Sequence, residues 1–440
     1  MTTQTQYDVI VIGGGSSGMM AAIQAAEQGS RVLVIDKNPK LGRKLLLSGG
    51  GRCNVTNRTT RDELIKHIPG NGKFLYSALN QFDQEDIITF FNERGVELKE
   101  EDHGRMFPVT DKARTILETL IERMEELGVD IRLKDPVKAV LYDRINKCIT
   151  GVETIAGETI TARGIVLAVG GRAYPRTGAE GDGYGWSKSA GHTIERLYPT
   201  EAPLLSDDAF IADKSVRGVS LRDVDVSLWD TNELSGTPAE RASQINDTTP
   251  RKIVSHNMDM IFTHFGYSGP AVLRCSGHVN QYLHRTGEKI AHLSINLVPK
   301  ESRAALEAVA EADREKQLVT ILRVWMPERL AELVIALAGL DPTTPYKQLV
   351  HAERKQIFDL ILAFPMTATG SQPIEKGFVT GGGVSTKEVN PTSMESRLMQ
   401  GLFFCGELLD INGYTGGYNI TAAFVTGTVA GRHAAWGSFG

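Results

Sequence analysis

Three hydrophobic patterns divide the chain. The first is the short, unbroken apolar run. Tyr7–Ile12 (YDVIVI), 31–35 (RVLVI), 165–171 (IVLAVGG) and 402–405 (LFFC) have strand length and are mostly β-branched or aromatic. Strands buried on both faces of a parallel sheet read this way. The second is helical spacing. Residues 17–28 (SGMMAAIQAAEQ) are rich in Ala and Met and stop at Gly29, as a helix closed by a glycine does. Residues 111–127 are also helix-like. Over 300–362, RAALEAVAEADREKQLVTILRVW and PERLAELVIALAGL repeat apolar residues every 3.6 positions with little glycine. The third is alternation. VRGVSLRDVDVSLWD and KIAHLSINLVP, within 200–299, predict half-buried strands, and GVETIAGETITARG predicts a hairpin. The last 40 residues of the chain, GLFFCGELLD onward, give a strand, a glycine turn and a helix. Ala422, Thr426, Ala430 and Ala434 share one face of that helix.

Composition narrows the class. A chain of 440 residues is too long for one simple core. Net charge of −5 and the lack of any Lys/Arg run argue against a nucleic-acid partner. The N-terminus lacks a basic region and a long apolar stretch, so no signal peptide is expected. No apolar run reaches membrane-spanning length, and a cytoplasmic location fits. Cys53, Cys148, Cys275 and Cys405 form no CxxC, and the histidines no HExxH. Neither a disulfide scaffold nor a metal site is expected.

The chemistry lies in the glycine clusters. After the first strand comes GGGSSG, with Gly13, Gly15 and Gly18 in the GxGxxG spacing. The glycines permit a tight turn. Ser16 and Ser17 then open a helix whose free N–H groups and dipole favour a pyrophosphate. Asp36 ends the second strand, where an acid accepts from a ribose hydroxyl. A lone GxGxxG is weak, but strand, turn, helix, strand and acid in order point to a dinucleotide. This stretch by itself allows FAD or NAD. A second contact is expected at Gly170 and Gly171, a glycine pair ending a later strand.

Five further stretches carry a resemblance: GRKLLLSGGGRCNVTN, GRMFPVTDKA, THFGYSGPAVL, FVTGGGVSTKEVNPTSMES and GLFFCGELLDINGYTGGYN. Together they resemble the BaiN/RdsA-type NAD(P)/FAD-dependent oxidoreductases, within the glutathione-reductase-like FAD fold, over nearly the whole chain. The expected fold class is therefore α/β. A discontinuous Rossmann-like FAD-binding domain (1–196 and 376–440) carries a β-rich insert, a barrel or sandwich, at 197–299 and 363–375. A helical sub-insert occupies 300–362.

The resemblance implies non-covalent FAD, with NAD(P)H as a transient co-substrate, since no second complete fingerprint exists. It also places LLLSGGGRCNVTN along the pyrophosphate toward the flavin. Ser48, Gly49 and Gly50 would then offer backbone groups to the cofactor. Arg43, Lys44 and Arg52 would face phosphates, and Asn54 an edge of the cofactor. Cys53 lacks the CxxxxC partner of a redox dithiol, because the fifth residue after it is Arg58. It reads as a packing residue or a weak contact. Lys37 and Val137 complete that set. Glu407 matches the acid that similar flavoproteins place on the ribityl hydroxyls. Gly417, Asn419 and Ile420 would start the last helix, with N–H groups toward the flavin pyrimidine. Arg105, His264 and Tyr267 are weak candidates for substrate or proton-transfer roles, each weighed against a structural one.

The expected reaction passes a hydride or electrons through flavin N5 between NAD(P)H and a small organic substrate. The rival readings are an oxidase using O2 on an amine or aminoketone, a tRNA-modifying flavoprotein, and a non-catalytic flavin-binding partner protein.

Overall fold

A computed structural model describes residues 6–231 and 233–437. The chain forms two compact units, 1–198 with 379–440, and 199–378. The sequence pattern placed these breaks at 196 and 376.

The first unit is built on a largely parallel sheet. Strand β1 (Tyr7–Ile12) lies between β2 (Val32–Asp36) and β6 (Thr159–Leu167), parallel to both. On the outer flank of β2 runs β3 (Asp130–Leu133); on β6 runs β7 (Leu402–Phe404), again parallel. Between β3 and β6 in the chain, β4 (Val137–Asp143) and β5 (Cys148–Thr154) form an antiparallel extension from β6. Val9, Ile10, Val11, Leu33, Val34, Ile165 and Val166 are fully buried, which is why these strands show no alternation.

Helix α1 (Ser16–Glu27) and the last helix, α2 (Tyr418–Gly437), pack against each other. Their contact is nearly backbone to backbone. A Cβ added to Gly427 would lie 2.3 Å from the Ser17 carbonyl oxygen, and one on Gly431 2.1 Å from that of Ala21. The small-residue composition of both helices is thus a requirement of close approach. Across the α2 start, Thr56 and Thr421 hydroxyls meet at 2.8 Å.

The second unit has one seven-stranded antiparallel sheet. Its order is Phe364–Ala368, Ala291–Asn296, Ser220–Trp229, Lys252–Phe262, Gly266–Ser268, Leu204–Leu205 and Gly370–Ser371. Its two edge strands are separated in the chain by Thr369 alone, so the edges meet and the sheet curls. This is the barrel-like form of the expected insert. The helices Arg303–Ala312, Leu318–Leu322, Glu328–Leu337 and His351–Leu362 fill the expected sub-insert.

One reading needs correction. The β-rich stretch 197–299 also holds the helices Pro238–Thr248 and Pro270–Thr286. The first announces itself with a capping box, Thr237 with Glu240, and proline at the first helical position. The second buries Ala271, Val272, Cys275, Ser276, Val279 and Tyr282 on one stripe and packs onto the sheet.

Candidate active site

Strands β1, β6 and β7 are parallel neighbours, so the segments after their carboxyl ends leave the sheet from one edge. Those segments hold Gly13–Gly18, Gly170–Gly171 and Gly406–Glu407. Two of the three are interlocked: a Cβ on Gly13 would sit 2.6 Å from the Ala168 carbonyl oxygen.

Within the first turn the three glycines do different work. Gly18 packs the helix on the strand, and its Cβ would lie 1.9 Å from the Gly13 oxygen. At Gly15 a Cβ would meet nothing within 4 Å, although its φ of −81° suits any residue. That open volume lies before the first turn of α1, whose opening N–H groups at Ser16, Ser17 and Gly18 have no preceding helical carbonyls. Asp36 braces the turn, accepting from the Gly14 N–H at 2.7 Å and from the Asn38 N–H at 2.7 Å. A dinucleotide pyrophosphate fits here, because space, donors and the neighbouring acid coincide.

The loop after β2 forms a kinked 3-10 segment, Leu45–Gly51. Gly49 and Gly50 have φ of 55° and 68°, and both are exposed. Ser48 is extended, and its hydroxyl donates to the Leu45 carbonyl at 2.7 Å. Asn54 is buried beside the α2 start, with its Oδ1 3.0 Å from where a Gly417 Cβ would stand and without a hydrogen-bond partner. Cys53 is fully buried, and burial pushes its thiol up to about 12.

At the far end of the edge, Glu407 joins three segments. Its Oε2 accepts from Lys44 Nζ at 2.6 Å, and its Oε1 from the Thr380 N–H at 2.8 Å. Thr380 Oγ1 in turn accepts from the N–H groups of Arg172 and Ala173 at 2.8 and 3.0 Å. Thr380 and Asn38 escaped the sequence reading. Thr380 sits in VTGGGVS, which has no helix after it; the strand Val379–Val384 was the available signal.

The description "HI0933-like protein Rossmann domain" matches residues 7–433. The chain belongs to the HI0933-like family. It is 32% identical to the ribosomal RNA dihydrouridine synthase of Escherichia coli (strain K12), over 95% of this chain and 96% of that one. Identity to the protein of the same description in Haemophilus influenzae is 28%, over 96% of each. The 3-dehydro-bile acid delta(4,6)-reductase of Clostridium scindens is also 28% identical, over 97% and 98%. The protein is an FAD-dependent oxidoreductase with a Rossmann-type FAD-binding fold. Among the described residues, no helix is long and apolar enough to cross a membrane.

Within this HI0933-like frame, several expected residues have partners in the chain itself. Arg52 is committed to Glu101 at 2.7 Å and lies over the Phe107 ring at 4.0 Å. Its hydrogen bond to Glu101 holds its pKa above the ordinary value. Lys37 is taken by Glu180 and Asp182, at 2.6 and 2.5 Å. Arg43 donates to Asn38 at 2.6 Å from an exposed position. Lys44 is occupied by Glu407. Each of these cations is engaged by a carboxylate or amide of the chain. Val137 starts β4 opposite Thr154, a sheet-pairing position. Helix α2 begins at Tyr418, after Gly417, and Ile420 lies in its first turn. The Asn419 side chain folds back, donating to the Gly413 carbonyl and accepting from its N–H, both at 2.8 Å. It braces the turn.

The substrate-side candidate, Arg105, and the two proton-donor candidates, His264 and Tyr267, lie in three different settings. Arg105 pairs with the adjacent Asp102 across a short turn. His264 is exposed in the second unit, edge-on to Phe265. Tyr267 is fully buried in the second unit's core. Its hydroxyl donates to Asp208 at 2.5 Å, and burial, then the Asp208 charge, raises its pKa well above the ordinary value. A phenol so held serves the Asp208 cluster.

Proposed function

We propose that this protein reduces a carbon–carbon double bond conjugated to a carbonyl, and that its substrate is a uracil ring in ribosomal RNA. The observation that carries this reading is the alignment with the ribosomal RNA dihydrouridine synthase over 95% of the chain. Chemistry supports it. Dihydrouridine forms by saturating the ring double bond next to a carbonyl, and a delta(4,6)-reductase of a 3-dehydro compound saturates bonds conjugated to a ketone. Both relatives therefore carry one reaction type on two substrates. Bound FAD supplies the hydride transfer, and NADH or NADPH supplies the electrons.

The chain's own residues bind and orient. The Gly13–Gly18 turn and α1 hold the pyrophosphate. Asp36 receives the ribose. Ser48, Gly49 and Gly50 present backbone along the cofactor, and Asn54 an amide. Glu407, held by Lys44 and Thr380, lies on the ribityl side. Gly170 and Gly171 close the opposite wall. The first-turn N–H groups of α2 face the pyrimidine edge, where negative charge develops.

The net charge of −5 is a property of the whole chain and sets no limit on a local patch. A second reading, reduction of a small enone, rests on the bile acid reductase relative. The test is NADPH and NADH oxidation by the purified FAD-loaded protein with unmodified ribosomal RNA transcribed in vitro. The RNA is then digested and its nucleosides weighed. Uridine heavier by H2 at a defined position is the expected result. Turnover of small enones with no RNA product would replace the first reading by the second.

A further inference from the structure

Saturating a conjugated double bond takes a proton as well as a hydride. The bound cofactor supplies the hydride, which joins the carbon β to the carbonyl. The α carbon then takes a proton, and the chain has to hold the group that gives it. The cofactor cradle offers few such groups. Lys37, Lys44 and Arg52 are paired with carboxylates, and Arg43 with Asn38. Cys53 is fully buried, its thiol pushed up to about 12. Burial raises the pKa of Asp410, but its Oδ2 accepts from Asn71 Nδ2 at 2.7 Å.

His67 is placed differently. It follows the short helix Arg61–Lys66, and the strip it opens is laced to the turn before α2. The Tyr414 N–H donates to the His67 carbonyl at 2.9 Å, the Gly70 N–H to the Asn412 carbonyl at 3.0 Å, and Asn71 Nδ2 to the Asp410 carbonyl at 2.8 Å. A Cβ on Gly70 would lie 2.0 Å from Asn412 Nδ2, so only glycine lets the two strips approach this closely. The imidazole lies flat on the Tyr418 ring, with centroids 4.6 Å apart and planes 9° from parallel, and Tyr414 stands edge-on at 6.3 Å. Tyr418 is the first residue of α2, the helix start that faces the flavin pyrimidine in the proposal above.

One ring nitrogen of His67 is spent and the other is not. Nδ1 lies 2.8 Å from the Glu63 carbonyl oxygen, which can only accept, so Nδ1 carries a proton. Nε2 has no hydrogen-bond partner among the described residues, and the side chain is half-buried rather than sealed. Nε2 is therefore the nitrogen that can give and regain a proton while Nδ1 keeps the ring in place.

We propose that His67 is the general acid of the reduction and delivers its Nε2 proton to the α carbon. The Nε2–H bond breaks and its electron pair stays on the ring. The electron pair of the substrate double bond makes the new C–H bond at the α carbon. Solvent returns a proton to Nε2, and NADH or NADPH is the net reductant. This inference rests on the double-bond reduction proposed above, and it holds for a uracil ring or a small enone alike.

The test uses full-length FAD-loaded protein and unmodified ribosomal RNA transcribed in vitro, or cyclohexenone where the parent reduces only that. Flavin absorbance follows three rates: reduction by NADPH or NADH, reoxidation by O2, and reoxidation by the substrate. His67→Asn keeps an amide donor for the Glu63 carbonyl and lacks Nε2. Its FAD content, melting temperature and first two rates should match the parent. Reoxidation by the substrate should fall roughly a hundredfold or more. Where His67→Asn loses FAD or melts lower, His67→Gln is read in the same way. Apart from turnover, imidazole nitrogen NMR of the apoprotein, assigned by the signal lost in His67→Asn, should place the proton of the neutral ring on Nδ1. A proton on Nε2 instead, substrate reoxidation at the parental rate, or an equal fall in all three rates would overturn this inference and leave the proposed function standing. So would an Asp410→Asn protein that alone loses the substrate step. A parent protein that reduces neither substrate would overturn both.

Discussion

Two aspartates in this molecule make the same contact and come to opposite ends. Asp36, in the first unit, accepts from the Gly14 N–H at 2.7 Å. Asp208, in the second, accepts from the Thr367 N–H at 2.8 Å. Around Asp208 the protein completes the set itself. The Thr367 hydroxyl donates to the other carboxylate oxygen at 2.8 Å, and the Tyr267 hydroxyl donates at 2.5 Å while also meeting Ser206 at 3.0 Å. Around Asp36 the turn is glycine and Asn38 donates twice to the other carboxylate oxygen, but beside it the volume at Gly15 is open. A carboxylate satisfied by tyrosine and threonine is a structural knot. A carboxylate next to unfilled space and open helix N–H groups leaves room for a ligand. The residue types that look most chemical in the sequence belong to the first kind here, and the plainest ones belong to the second.

The sharpest way to break this contrast is to fill the open side. Gly15→Val places its side chain where nothing in the protein stands. The apoprotein should melt as the parent does, while FAD affinity falls roughly a thousandfold, about 4 kcal/mol. Fluorescence titration with FAD beside a thermal melt measures both, and a variant that keeps its FAD would show that the pyrophosphate lies elsewhere. Three residues on, the prediction reverses. Gly18→Ala drives a methyl into the Gly13 carbonyl, and overpacking of this kind should cost about 3 kcal/mol of stability, seen as a lower melting temperature even without cofactor.

The closed cluster should respond more mildly. Tyr267→Phe removes one hydrogen bond of Asp208 and leaves those of Thr367 in place. Stability should drop by about 1–2 kcal/mol in denaturant titration, with FAD content and turnover unchanged. Loss of turnover in a folded, FAD-loaded Tyr267→Phe protein would restore Tyr267 as a proton donor.

The smallest effect is expected at Cys53. Cys53→Ser should retain FAD and most of the turnover, and the native thiol should resist iodoacetamide at neutral pH, because the reactive thiolate is suppressed by burial. Burial pushes Cys53, Cys275 and Cys405 each up to about 12. A group whose pKa is raised on folding contributes stability in full below its unfolded value, near pH 9. That stability is lost as pH rises toward 12, by about 1.4 kcal/mol per thiol per pH unit. Unfolding at pH 8 and pH 10.5 checks the sign, and a protein more stable at the higher pH would refute it.

Much of the first unit was legible from local pattern. Apolar runs, an Ala/Met helix ending at Gly29 and an acid at the end of the second strand define the dinucleotide turn with no distant contact involved. The last helix was legible too, and its small residues proved to be a close-packing surface against α1. What the pattern left unseen were the partners of the charged residues in the loop after β2. Arg52 was read toward phosphate and Lys37 as a cofactor contact, and Glu101 and Glu180, with Asp182, lie far off in sequence and pair with them. A long side chain goes to the nearest opposite charge, and sequence spacing does not reveal which that is.

The sequence by itself therefore determined the backbone-level features: where strands and helices run, which glycines make the turn, and which family the chain resembles. These depend on local periodicity and on steric demands of single residues. Only the tertiary structure decided which polar groups are spent and which are open. It closed the Asp208 cluster, buried Cys53, made Thr380 the clamp of the Arg172 segment, and laid His67 flat on Tyr418. Each of those outcomes depends on partners tens to hundreds of residues apart, brought together by the parallel sheet and the curled insert, and such pairings leave no periodic trace along the chain.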